Sequence, residues 1–217
     1  MPVFFPACKV LAQYPEESKS LWAYLQRKDG MRKAGCCRKD HAELAAEDQA
    51  VFICNNCHEI IAESSATDNL VSVWEIIDAD PQFPFPNYEG REMALQDCWI
   101  AGDCPATHEA VRSLLQKMNV RVVELPENRA GSRFCGMNTL GPATESNKGL
   151  APHRWVEVKD AQCADLPENE RAAALRAHAE SLPTKDVACY CKFCAAGLAA
   201  GGAQPTHLIQ LLFPNEK

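Results

Sequence analysis

The chain has 217 residues, a net charge of −7, and 47% hydrophobic against 24% charged residues. That is the balance of an ordinary globular protein able to bury a core without disulfide staples. Its Lys and Arg residues are scattered, which argues against nucleic acid or an anionic membrane as the main partner. No apolar stretch is long enough for a membrane span, and the start Met-Pro-Val-Phe-Phe-Pro-Ala-Cys-Lys lacks the pattern of a secretory signal. A cytoplasmic location is therefore expected. Structural disulfides are rare in that compartment, so the twelve cysteines are expected to be thiolates on metal.

In chain order, Val3-Phe4-Phe5 is an apolar run ending at Pro6-Ala7-Cys8, and the helix expected after it sets Leu21, Trp22 and Leu25 on one face. Gly30 and Gly35 punctuate the approach to Cys36-Cys37, and Asp40 is expected to cap a helix over residues 41–46. Val51-Phe52-Ile53 reads as a short buried strand running into Cys54, with Ile60 and Ile61 on a helix that starts near Cys57. The proline content of residues 80–90 predicts a linker.

Met93 to Gln96 then reads as a strand ending at Asp97-Cys98. Ala110, Val111, Leu114, Leu115 and Met118 fall at helical spacing, and Val120 to Leu125 is rich in β-branched residues, a strand signal. Residues 126–170, rich in Asn, Gly and Pro, read as a long excursion with few regular elements. The acidic run from Glu168 to Glu180 reads as a solvated helix. Val187-Ala188 leads into Cys189, Cys191 and Cys194, followed by Ala-rich sequence and Leu208 to Leu212, both compatible with helix. Strand–helix–strand order in both halves predicts an α/β fold with parallel pairing. Neither half has G-x-G-x-x-G or a Walker loop, so a dinucleotide site is not expected.

The cysteines are placed twice over in nearly the same pattern. The first set is Cys8, Cys36-Cys37, and Cys54-Asn-Asn-Cys57; the second is Cys98, Phe134-Cys135-Gly136, and Cys191-Lys-Phe-Cys194. Two cysteines two residues apart at a strand-to-helix turn aim both thiolates at one point, and the helix N-terminus favours their charge. Cys8 with Cys36/Cys37, and Cys98 with Cys135, would complete each site. Four thiolates suffice for a cubane cluster or a tetrahedral zinc. A fifth in the first set is more than a structural zinc uses. Cys104 competes with Cys98 as a ligand, whereas Cys163 reads as a small buried hydrophobe and Cys189 as a reserve ligand. Cys54-Asn-Asn-Cys57-His58 also spells the c-type haem motif, but that chemistry needs export, so His58 reads as a surface residue or one just behind the ligands.

On these residues the chain resembles the cysteine-rich CCG domains of the heterodisulfide reductase B subunit and related lactate-utilisation iron–sulfur proteins. The second half is similar through Asp97-Cys98, Val111 to Leu125, Phe134-Cys135-Gly136, Cys191 to Cys194 and Pro205 to Leu212. The resemblance implies two pseudo-symmetric Rossmann-like lobes, residues 1–90 and 91–217, with metal sites near their junction. It also implies [4Fe–4S] clusters in an oxidoreductase subunit that carries electrons for disulfide or thiol chemistry. The first, on Cys8, Cys36, Cys37, Cys54 and Cys57, would be noncubane and the likelier reactive centre. The second half has Phe134 where the family's first paired cysteine stands; its Cys98, Cys135, Cys191 and Cys194 would hold an ordinary cubane or zinc as a relay or prop. With no flavin or nicotinamide site of its own, the chain would take electrons from a ferredoxin or flavoprotein partner. The rival reading is a zinc-stabilised binding or assembly protein without a redox role.

Overall fold

Val3-Phe4-Phe5 and Val51-Phe52-Ile53 have no polar face, as befits strands covered by helices on both sides, and all six residues are buried. The computed structural model describes residues 1–28 and 30–215. In the first half β1 (Pro2–Phe5) leads into α1 (Cys8–Gln13) and α2 (Pro15–Leu25), and β2 (Arg32–Lys33) into α3 (Cys37–Asp40). There β3 (Gln49–Phe52) leads into α4 (Asn55–Ser64), and β4 (Leu70–Ser72) into α5 (Val73–Asp78). The second half opens with β5 (Glu92–Gln96), α6 (Pro105–Lys117) and β6 (Arg121–Glu124). Short helices α7 (Met137–Leu140), α8 (Glu145–Leu150) and α9 (Lys159–Gln162) follow, then α10 (Glu168–Ser181). The chain closes with β7 (Asp186–Cys189), α11 (Lys192–Gly201), β8 (Gln204–His207) and α12 (Leu208–Leu212).

Each half builds a four-stranded, wholly parallel sheet, ordered β2-β1-β3-β4 and β6-β5-β7-β8. Counted from the start of each half the two orders are identical, so the fold is α/β with two Rossmann-like lobes. The likeness reaches single hydrogen bonds. Ser72 and Glu75 form a capping box at the start of α5, and His207 and Gln210 form its counterpart at the start of α12.

The lobes dock by exchanging these last helices: α5 packs on α6 of the other lobe, and α12 packs on α2. The Thr107 hydroxyl donates to Glu75 Oε1 at 2.7 Å across the first contact, and Asn215 Nδ2 donates to Glu17 Oε1 at 2.9 Å across the second. Aromatic rings fill the second contact, with Tyr14 and His207 at 5.0 Å between centroids.

Three local expectations are corrected. Asp40 caps nothing: the helix runs from Cys37 to Asp40 behind Cys36, and the Asp40 carboxylate instead accepts the Gly35 N–H. The proline-rich residues 80–90 do form an irregular connection between the halves, and Phe83 anchors it edge-on to Tyr24 and Phe213 at 5.2 and 5.5 Å. The excursion after β6 carries α7 to α9 and a π-helical turn over His153–Val158. It also crosses to the first lobe, where Ser64 Oγ bonds the Leu150 carbonyl and Arg38 Nη2 bonds Asn147 Oδ1 at 2.7 Å. Finally, α10 is not merely solvated, since Leu175 and Ala179 are buried and it packs along α11.

Candidate metal centre

In open parallel sheets, ligands bind beyond the carboxyl ends of the strands where the strand order reverses. Here the reversal lies between β1 and β3 in one lobe and between β5 and β7 in the other. Those four strands run into Cys8, Cys54, Cys98 and Cys191. The backbone at four cysteines is nearly superimposable: Cys36, Cys54, Cys98 and Cys191 each precede a helical turn with φ/ψ of −110/125, −115/126, −104/126 and −125/125°. Extended backbone at the N-cap swings the sulfur over the open N–H groups of the turn that follows, a position favourable to a thiolate.

The second lobe gathers a closed group. Cys98, Cys135, Cys191 and Cys194 are all buried, with every sulfur within 4.8 Å of the others. Cys98 and Cys135 Sγ stand 3.4 Å apart, and Cys135 and Cys191 Sγ 3.9 Å. All twelve cysteines are free thiols.

Cys135 comes from no strand end; a tight loop delivers it. Gly136 turns with φ +50°, and a Cβ there would lie 2.1 Å from the Phe193 carbonyl oxygen. Facing it, Gly197 of α11 would put a Cβ 2.4 Å from the Gly136 Cα. Two glycines thus let the loop lie against the helix that carries Cys194. Asn138 Nδ2 donates to Cys135 Sγ at 3.5 Å, and Trp99 N–H holds the Phe134 carbonyl at 3.0 Å.

Electrostatics suit a cation. Burial opposes a thiolate at Cys98, yet hydrogen bonds from Cys135, Cys191 and Cys194 hold it well below the usual cysteine value. Burial, followed by the neighbouring sulfurs, pushes Cys135 and Cys194 well above it. Without a cation Cys135 and Cys194 therefore keep their protons. A metal would displace the protons and supply the counter-charge, so these donors fit one.

In the first lobe the neighbouring Cys57 lowers the Cys37 and Cys54 thiols and is itself raised well above the usual value. Cys8, Cys36, Cys37, Cys54 and Cys57 are not, however, drawn together at ligand spacing as the second set is. Cys36 is half-buried and Cys8 exposed. The site is more open than its counterpart, and the two groups feel each other, since Cys191 raises Cys54 through charge.

The chain matches no protein-family model, no curated protein and no solved structure. Its chemistry is therefore read from these residues alone. Cys104 lies outside the four-thiol group, against His58 Nε2 at 3.6 Å. His58 Nδ1 in turn meets Glu59 Oε1 at 2.9 Å, so the imidazole is engaged in the lobe junction. Cys163 is half-buried, and the buried Cys189 thiol points to the Thr206 carbonyl at 3.9 Å. The Arg154 guanidinium, itself buried, reaches Glu59 Oε2 at 2.9 Å and Asp103, and lies over Trp99 at 5.4 Å.

Two features were invisible in the spacing. The trio His58, Glu59 and Cys104 is assembled from both lobes, and no local pattern marks it. Asn55 is 1% exposed with neither side-chain polar atom partnered within the protein. Its place between two cysteines was the available signal.

Among the described residues no helix is long and apolar enough to cross a membrane.

Proposed function

We propose that this chain is a metal–thiolate redox protein of the CCG type, an iron–sulfur subunit of a cytoplasmic oxidoreductase. One observation carries the reading: strands at the same switch point of twin parallel sheets run into cysteines in both lobes, and those of the second lobe close into a buried four-thiol group. A single structural ion would need no such pair. Cys8, Cys36, Cys37, Cys54 and Cys57 would hold the first centre, and Cys98, Cys135, Cys191 and Cys194 the second. An iron–sulfur cluster, when bound, supplies one-electron redox chemistry whose potential depends on charge, hydrogen bonding and exposure. The exposure of Cys8 makes the first site the one a substrate sulfur or a partner can approach. The closed second site keeps water from its sulfurs. Electrons would come from a ferredoxin or flavoprotein.

A second reading is favoured by the sulfur spacing. A zinc 2.3 Å from four thiolates sets tetrahedral edges of about 3.8 Å, near the observed 3.4 and 3.9 Å. A cubane gives each thiolate its own iron and spreads the sulfurs further. On this reading the second lobe holds zinc as a prop.

Anaerobic purification, metal and acid-labile sulfide analysis, and EPR before and after dithionite separate the readings. Iron and sulfide near four to eight per chain, as one or two [4Fe–4S] clusters require, with a redox-dependent signal, support the proposal. Zinc without sulfide in both lobes, even after reconstitution with iron and sulfide, overturns it. Cys37→Ser is the companion variant: a five-thiolate cluster is altered by it, whereas a four-coordinate zinc keeps its ligands.

A further inference from the structure

His58 and Glu59 are neighbours on α4, and adjacent helical side chains do not ordinarily face each other. Here both turn to one spot, where His58 Nδ1 meets Glu59 Oε1 at 2.9 Å. Cys104 arrives there from the other lobe, at the N-cap of α6. Its Sγ lies 3.8 Å from Nδ1 and 3.6 Å from Nε2 of the same ring. One donor atom from each of the three residues thus falls within 4.8 Å of the others. None of the three belongs to either cysteine set.

The donors suit one kind of ion. A thiolate, an imidazole and a carboxylate together match zinc or a similar borderline divalent metal. Zinc bound to both sulfur and nitrogen holds those atoms about 3.6 Å apart at the tetrahedral angle, close to the 3.8 Å between Cys104 Sγ and His58 Nδ1. Bound to nitrogen and oxygen it asks for about 3.4 Å, a small opening of the 2.9 Å His58–Glu59 contact.

Burial and charge agree with this. Glu59 and Cys104 are buried and His58 is half-buried, its ring backed by Phe52 at 4.9 Å between centroids. Arg154 takes Glu59 Oε2 at 2.9 Å, which leaves Oε1 to the trio, and the same guanidinium also bonds Asp103. One buried cation therefore answers two carboxylates. With the Cys104 thiolate added, a divalent ion would bring the cluster to neutrality, as burial of charge demands.

We propose that His58, Glu59 and Cys104 form a mononuclear site for zinc or a similar divalent metal at the lobe junction, separate from both cysteine groups. Three protein ligands leave a fourth position for water or an incoming ligand, the arrangement of catalytic rather than structural zinc. Because the ligands come from both lobes, the ion ties α4 to the start of α6. The site needs no cluster in either cysteine group.

Cadmium-113, standing in for zinc, is added to the full chain purified anaerobically, and its NMR signals are recorded. Their shifts separate mixed sulfur, nitrogen and oxygen coordination from all-thiolate coordination. One mixed-donor signal is expected, split by a single imidazole when the histidines carry nitrogen-15. Cys104→Ser and His58→Gln, one from each lobe, should each weaken cadmium at that site by at least about 100-fold, the upper end of what a partner behind the ligands is worth. Any all-thiolate signals should stay. Absence of the mixed-donor signal from wild type, a signal without imidazole coupling, or one that survives both variants overturns the proposal. If a variant fails to fold, the coupling in labelled wild type decides. Failure of the cluster reading shows elsewhere, in the iron and sulfide content, and does not alter the mixed-donor signal.

Discussion

Cys54 and Cys191 are the same residue of two copies of one plan. Each follows the third strand of its lobe, each precedes a helix with nearly the same extended backbone, and the charge of Cys191 raises Cys54 across the junction. Yet the groups they belong to differ in access, closed around Cys135 and open at Cys8. Stability should divide accordingly. A centre bound at about 100 times its Kd adds about 2.7 kcal/mol to the folded state. Cys135→Ser, which removes a buried ligand, should lose at least that much along with the second-lobe metal. Cys8→Ser, at an exposed position, should cost less than Cys135→Ser and leave the second-lobe metal in place. Denaturant titration with metal analysis on both variants checks this; equal losses would show that access does not separate the sites.

Gly136 is the backbone on which the second site closes. Alanine there meets the Phe193 carbonyl at 2.1 Å and must also hold φ +50°. Strain of either kind costs about 1–3 kcal/mol. Gly136→Ala should therefore destabilise by about 2–5 kcal/mol and weaken second-lobe metal binding, leaving the first lobe loaded. Gly149, which has nothing within 4 Å of a built Cβ, is the control and should accept alanine within about 0.5 kcal/mol.

How much of this was legible in the sequence follows the range of the interactions. Strands such as Val3-Phe4-Phe5 declare themselves by composition, and α6 by its apolar spacing, because local pattern and burial agree there. Val120 to Leu125 does so by its β-branched residues alone, since β6 is an edge strand with no residue fully buried. β4 and β8 did not: Leu70-Val-Ser and Gln204-Pro-Thr-His are edge strands with a single buried residue each and too little apolar sequence to signal. The second thiol group was legible as a set because its C-x-x-C repeats the spacing of the first. The depth of the second group and the openness of the first were not, since both depend on the Gly136–Gly197 approach and on the way the lobes dock. The excursion's role was hidden for the same reason: Asn147, Leu150 and Arg154 act on first-lobe partners about 90 to 110 residues away in sequence.

Arg154 and Glu59 form the buried ion pair of that docking, with side chains 3% and 7% exposed and 2.9 Å between Nε and Oε2. Removing one member leaves the other charge buried, at about 3–5 kcal/mol. Arg154→Ala should lose that much. Arg154→Met paired with Glu59→Gln should recover most of it, because neither remaining side chain carries a charge. A double variant no better than Arg154→Ala would mean that the guanidinium matters mainly through its packing on Trp99.

Asp80 gives the acid limb of stability a specific source. The Lys28 ammonium at 2.7 Å, the Gln82 N–H and the Tyr24 hydroxyl bring its carboxyl down from 3.8 to about 2. A carboxyl depressed in the folded state contributes stability that is fully present above its unfolded value and is lost as pH falls through its folded value. The contribution should therefore be intact above about pH 4 and disappear between pH 4 and 2. Asp80→Asn, which keeps the shape without the charge, should lower stability at neutral pH and flatten the decline across that window. Urea unfolding at steps of pH from 7 to 2 makes the comparison; parallel wild-type and variant curves below pH 4 would assign the acid limb to other carboxylates.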